Sequence, residues 1–192
     1  EKRKPASHRF SGDDLTHWAW TEPSVWKPTM LATLEQDKVR GGKWHSLIDK
    51  VYYPGNLDSA YREVAANRGA AGVDHVTVED FAAHLARNLD KLGEQLRTGT
   101  YRPQAIRRVN IPKPGTNETR PLGIPTVRDR VVQAALRHVM EPILERHFAT
   151  HSYGFRPARG CKDALRRVDR LVKSGLKYTV DVDLKSYFDQ SS

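Results

Sequence analysis

The chain has 192 residues, 38% of them hydrophobic and 29% charged, and a formal net charge of +9. That length holds one ordinary domain or two small ones, and four Trp, seven Tyr and five Phe argue against general disorder. No apolar run approaches the roughly 18 residues of a membrane span, no secretory leader is recognisable, and the single Cys161 excludes a disulfide framework. A reducing, cytoplasmic setting without a membrane partner is expected. The charge is unevenly divided. Residues 1–100 carry 14 Lys+Arg and 14 Asp+Glu, whereas residues 101–192 carry 18 and 9. Basic charge confined to one half suits a surface that tracks phosphates, and it equally suits a solvated basic face.

Residues 1–55 form a Trp-rich extension holding Trp18, Trp20, Trp26 and Trp44 among turn residues. These tryptophans either stack bases or anchor the extension onto a neighbouring domain. From Asn56 the periodicity tightens. Asn56 is expected to cap a helix with an apolar face of Leu57, Ala60, Tyr61, Val64 and Ala65. The turn Gly69-Ala70-Ala71-Gly72-Val73-Asp74 follows, and Thr77 caps a second helix with a stripe at Phe81, Leu85, Leu89, Leu92 and Leu96.

A hairpin comes next: a strand over Ile106–Ile111, a turn over Pro112–Glu118 and a returning strand over Thr119–Ile124. Pro121 removes a ladder donor, which places its strand at an edge or a bulge. Val131, Val132, Ala135, Leu136 and Val139 then line one helix face, and Pro142 is read as the first position of a fresh helix through Ile143, Leu144 and Phe148. A turn around Tyr153-Gly154-Phe155-Arg156-Pro157, a helix over Lys162–Val172 and a strand over Tyr178–Leu184 complete the chain order.

Four groups could carry chemistry. Asp181 and Asp183 alternate with Val180, Val182 and Leu184, so a strand would show both carboxylates on one face. Paired acids on an apolar strand call for a cation, either a divalent metal such as Mg²⁺ or an Arg or Lys partner. Lys113 near the hairpin tip and Arg120 on the returning strand could hold a polyphosphate, or be plain surface charges. Arg128 and Arg130 flank Asp129 at a helix start, where Asp129 complements the helix dipole and the arginines could reach phosphates. Phe155 lies beside Arg156 and Arg159, a combination able to stack a base and hold its phosphate. The histidines have no metal-ligand spacing.

In order, these pieces resemble the amino-terminal half of the reverse transcriptase domain of group II intron-encoded proteins. The resemblance runs from Asn67 to Asp189, about two-thirds of the chain. Its motifs are Asn67-Arg68-Gly69-Ala70-Ala71-Gly72-Val73-Asp74, Gly99-Thr100-Tyr101-Arg102-Pro103, Arg107-Arg108-Val109 with Ile111-Pro112-Lys113, and Arg120-Pro121-Leu122-Gly123-Ile124-Pro125-Thr126. Asp129-Arg130 with Gln133, Ser152-Tyr153-Gly154-Phe155-Arg156-Pro157 and Asp183-Leu184-Lys185-Ser186-Tyr187-Phe188-Asp189 complete it.

The resemblance implies an α+β fold, mostly helical with a β-hairpin: the fingers subdomain of a right-hand polymerase over residues 56–175 and the start of its palm over 176–192. It implies that Asp183 is the first catalytic, Mg²⁺-binding aspartate, that Lys113 and Arg120 grip the incoming nucleotide, and that Phe188 excludes a ribose 2′-hydroxyl. Arg107, Arg108, Arg128, Arg130, Arg156 and Arg159 are the candidate nucleic-acid contacts. The implied partners are template or intron RNA, a DNA primer and deoxynucleoside triphosphates, with a homodimer left open. The family's Tyr-Ala-Asp-Asp motif is absent from these residues, so the chain is expected to be a truncation without activity on its own. Two other functions stand beside the polymerase: a non-catalytic, maturase-like RNA-binding module that assists splicing, and a domesticated polymerase of a CRISPR or defence system. An RNA-dependent RNA polymerase is disfavoured by Phe188.

Overall fold

In the computed structural model, residues 18–34, 46–115 and 117–184 are described. Trp44 and Phe188 lie outside them. The chain divides into two compact units, Glu1–Phe148 and Ala149–Ser192.

In the first unit, α1 (Pro28–Leu34), α2 (Leu47–Val51), α3 (Pro54–Ala66), α4 (Val78–Ala83) and α5 (Leu85–Arg97) precede a hairpin of β1 (Arg107–Pro112) and β2 (Thr119–Ile124), and α6 (Val127–Glu145) follows. The second unit holds α7 (Cys161–Lys173). Mixed helix with one small antiparallel sheet is thus the architecture of the described residues. None of their helices is long and apolar enough to cross a membrane.

The core forms where α3 lies along α6, with α2 and α5 against them. Leu57, Ala60, Tyr61 and Val64 of α3 meet Val131, Val132, Ala135 and Val139 of α6, all buried. The ring of Tyr61 stacks on Phe81 at 5.7 Å between centroids. Trp18 and Trp26 are buried in the same core and Trp20 packs against it, so these three tryptophans anchor the chain's early segment.

Thr77 caps α4 as expected, in a reciprocal box with Asp80. The helix then breaks at His84, so the Phe81–Leu96 stripe is divided between α4 and α5. Asn56 is not a cap. Pro54 occupies the first turn of α3, and Asn56 is fully buried inside it. Its Nδ2 donates to the carbonyls of Lys50, Val51 and Ala135, and its Oδ1 faces His138 Nδ1 at 2.8 Å. One side chain therefore ties α2, α3 and α6 together.

Pro142 does not open a helix either, because α6 runs through it without a break. Leu136, Leu144 and Phe148, expected inside, are exposed. In the second unit, α7 has the expected bounds within a residue, yet Leu165, Val168 and Val172 on its apolar side are exposed. The expected strand over Tyr178–Leu184 is irregular backbone, with Val180, Val182 and Leu184 exposed. Strand geometry is held by ladder bonds to a neighbour, and no described strand pairs with this segment.

Candidate nucleotide and nucleic-acid interface

The hairpin is the framework of the site. Its register is unbroken from Arg107 opposite Ile124 to Pro112 opposite Thr119, so Pro121 sits without a bulge in a two-stranded sheet. The Lys113 amide donates to the Glu118 carbonyl at 2.9 Å and adds a rung at the tip. Because alternate residues share a face, Arg107, Val109, Ile111 and Lys113 lie on one face with Glu118, Arg120, Leu122 and Ile124. Lys113 and Arg120 are diagonal neighbours there, a separation of roughly 7–8 Å that long side chains can bridge. Arg108 lies on the opposite face. The Lys113 ammonium is engaged by Glu118 at 2.6 Å in an exposed ion pair.

The root of the hairpin is the start of α6. Thr126 caps that helix through its hydroxyl, which accepts from the Asp129 amide at 3.2 Å. Asp129 is 3% exposed and does more than complement the dipole. One of its oxygens accepts from the Tyr101 hydroxyl at 2.7 Å and the other from the Gln104 backbone N–H at 3.0 Å. Burial, joined by the hydrogen bond to Asp129, pushes the Tyr101 phenol well above its ordinary range. Tyr101 and Gln104 had no assigned role in the sequence. The readable signal was Thr126-Val127-Arg128-Asp129, a capping pattern that places Asp129 at the third helical position.

The neighbouring arginines are turned onto the protein. Arg128 lies over the Tyr101 ring, 4.9 Å from its centroid, and donates to the Arg102 carbonyl at 3.1 Å. Arg130 donates to the Ala70 carbonyl at 2.9 Å. The Gly-rich turn seats against this root, which explains Gly72. A Cβ there would lie 2.7 Å from the Thr126 backbone, whereas one on Gly69 would meet only the flexible end of the Arg130 side chain.

In the second unit, Arg156 is buried and donates to the carbonyls of Ala149 and Ser152 at 2.8 and 3.0 Å. Arg159 donates to the Thr150 carbonyl at 2.6 Å and lies 5.9 Å from the Tyr153 ring centroid. Both guanidinium groups close their own loop, while Phe155, which precedes them, is fully exposed with φ of 54°. Asp181 and Asp183 are exposed. Among the described residues, no group of three or more His, Cys, Asp or Glu could hold a metal ion. The described residues thus do not assemble a metal centre by themselves; Asp183 offers one carboxylate, the donor type that Mg²⁺ prefers.

Residues 111–191, which include Lys113, Arg120 and Asp183, match the family described as reverse transcriptase (RNA-dependent DNA polymerase). The chain is 38% identical over 132 residues to the group II intron-encoded protein LtrA of Lactococcus lactis subsp. cremoris, covering 68% of this chain and 21% of LtrA. The chain belongs to the group II intron-encoded reverse transcriptase family. Another relative of this reverse transcriptase-family chain is protein YkfC of Escherichia coli (strain K12), 39% identical over 181 residues, 91% of this chain and 43% of YkfC. A third is the putative COX1/OXI3 intron 1 protein of Saccharomyces cerevisiae, 38% identical over 104 residues, 54% of this chain and 12% of that protein. The chain spans less than half the length of each of these relatives.

Proposed function

We propose that the complete gene product is an RNA-directed DNA polymerase of the group II intron type, and that this chain supplies its fingers and the first segment of its palm. The observation that carries the reading is the hairpin register, which puts Lys113 and Arg120 on one face inside the segment matched by the reverse transcriptase family. In this reading the two cations hold the triphosphate, Arg120 through its planar fork. Asp183 would offer one carboxylate to Mg²⁺, which would supply charge stabilisation to phosphoryl transfer. Phe188 excludes a ribose 2′-hydroxyl. Template RNA follows the basic residues, among which Arg108 and Arg120 are exposed on the hairpin and Arg107 is half-buried. The 192 residues contain no Tyr-Ala-Asp-Asp, and one carboxylate cannot clamp two ions, so this chain alone is proposed to be inactive.

Primer extension tests this reading with an RNA template, a DNA primer, Mg²⁺ and deoxynucleoside triphosphates. The complete gene product should extend the primer and Asp183→Asn should abolish synthesis, while the 192-residue chain alone should be silent. Synthesis by the isolated chain would overturn the proposed inactivity. RNA binding without synthesis by the complete product would replace the polymerase with the non-catalytic, maturase-like reading.

A further inference from the structure

The two feet of the hairpin converge on one buried carboxylate. Tyr101 and Gln104 lead into β1 and donate to the two oxygens of Asp129, while Thr126, two residues beyond β2, caps the helix that carries it. The strands themselves have little other support, for five of the six residues of β2 and three of the six of β1 are exposed. A two-stranded ribbon is marginal by itself, so its direction depends on its root. Leverage is large: at about 3.3 Å per residue the tip at Lys113 stands roughly 20 Å from Arg107, and a tilt of about 10° moves it by about 3 Å. Displacements of that size are ruinous for contacts that orient a substrate.

We propose that Asp129 is a positioning residue, setting the direction of the β1–β2 hairpin and through it the pose of Lys113 and Arg120 against the triphosphate of an incoming nucleotide. This rests on the nucleotide-gripping role of the hairpin proposed above. A carboxylate suits the task because it offers two acceptor oxygens on one rigid fork to two donors, a phenol and an amide. Asparagine replaces one acceptor oxygen with an amide donor, so it keeps both partners only if the Tyr101 hydroxyl turns from donor to acceptor, and it removes the charge that strengthens both bonds. The Arg128 guanidinium over the Tyr101 ring closes the same junction from outside.

The test is steady-state primer extension by the complete gene product, with Lys113→Ala and Arg120→Ala as controls. Asp129→Asn should raise the KM for deoxynucleotides about tenfold and Tyr101→Phe about threefold, with kcat and the KM for template–primer within about twofold of the parent. A purely structural role would reduce the active fraction, lowering kcat with nucleotide KM unchanged, and that result overturns the proposal. If Asp129→Asn no longer melts cooperatively, Tyr101→Phe decides alone, because it keeps both the carboxylate and the Gln104 bond. If both controls leave nucleotide KM unchanged, the hairpin's role fails and this proposal with it. If the controls raise it while Asp129→Asn and Tyr101→Phe do not, only the positioning role fails.

Discussion

The indole N–H of Trp26 donates to the carbonyl of His138 at 2.9 Å, and His138 is the residue four positions before Pro142 in α6. Proline has no amide hydrogen, so that carbonyl lacks its helical donor. Trp26, 2% exposed, supplies the missing one from 112 residues away. An interior proline in a buried helix is thereby tolerated, and the early segment of the chain acquires a fixed seat on α6.

This relationship predicts a coupling. Trp26→Phe leaves a buried carbonyl without that donor and should cost about 1–3 kcal/mol beyond the change in packing. Pro142→Ala restores an amide to the helix, so Trp26→Phe in that background should cost less by about 0.5 kcal/mol or more. Urea denaturation of the four proteins of the cycle measures the coupling, and strict additivity would show the two residues to be independent.

Asn56 makes a second prediction. Its amide donates to three carbonyls of α2 and α6, and its oxygen accepts from the ring of His138, whose other nitrogen lies 3.0 Å from Glu63. Asn56→Ala should destabilise the first unit by about 2–3 kcal/mol, because buried acceptors lose their donor. Asn56→Asp should be worse at neutral pH, since it turns a carboxylate toward three carbonyl oxygens. A smaller loss for Asp than for Ala, read from denaturation midpoints, contradicts this account.

Gly72 separates close approach from turn chemistry. Gly72→Ala pushes a methyl into the Thr126 backbone, which cannot yield as a flexible side chain would, and should cost about 1–3 kcal/mol. Gly154→Ala meets no atom within 4 Å and should be near neutral. Thermal melting of both variants checks the contrast.

The arginines should divide in RNA binding. Arg108→Ala and Arg120→Ala remove exposed cations of the hairpin and should each lower the salt slope of binding to structured RNA by about one. Arg156→Ala should leave the slope in place and instead loosen its own loop, because its donors are held by Ala149 and Ser152. Fluorescence anisotropy across a salt series, with proteolysis of the loop, tells the two behaviours apart.

Phe188→Ala in the complete gene product should raise ribonucleotide incorporation during primer extension. An unchanged preference for deoxynucleotides removes Phe188 from sugar selection.

The hairpin was legible in the sequence almost to the residue. Pro114 and Gly115 interrupt two short β-forming runs; β1 is shifted by one residue, taking in Pro112, and the observed β2 has the expected bounds. The Thr77 cap was legible for the same reason, and the structure adds its reciprocal partner Asp80, three residues on. Asn56 was misread because a polar residue near a helix start carries a local cap signal, while its decisive partner, Ala135, is 79 residues away. Pro142 was misread likewise, since Trp26 is invisible to any local rule. Of the candidate site, the shared face of Lys113 and Arg120 follows from strand alternation once the register is known. The inward turn of Arg128, Arg130, Arg156 and Arg159 does not follow from any spacing.

By itself, then, the sequence determined what is short-ranged: turn chemistry, periodic apolar faces, caps, the basic half and the ordered motifs of a reverse transcriptase. Those signals act within a few residues and survive without knowledge of the fold. Tertiary structure decided which polar groups are consumed in holding the molecule together and which remain available outside. Asp129 shows the difference most plainly. Its position at a helix start was a local matter, but two donors from the hairpin's other foot reach it only after the chain has folded, because a buried carboxylate must find its partners wherever packing brings them.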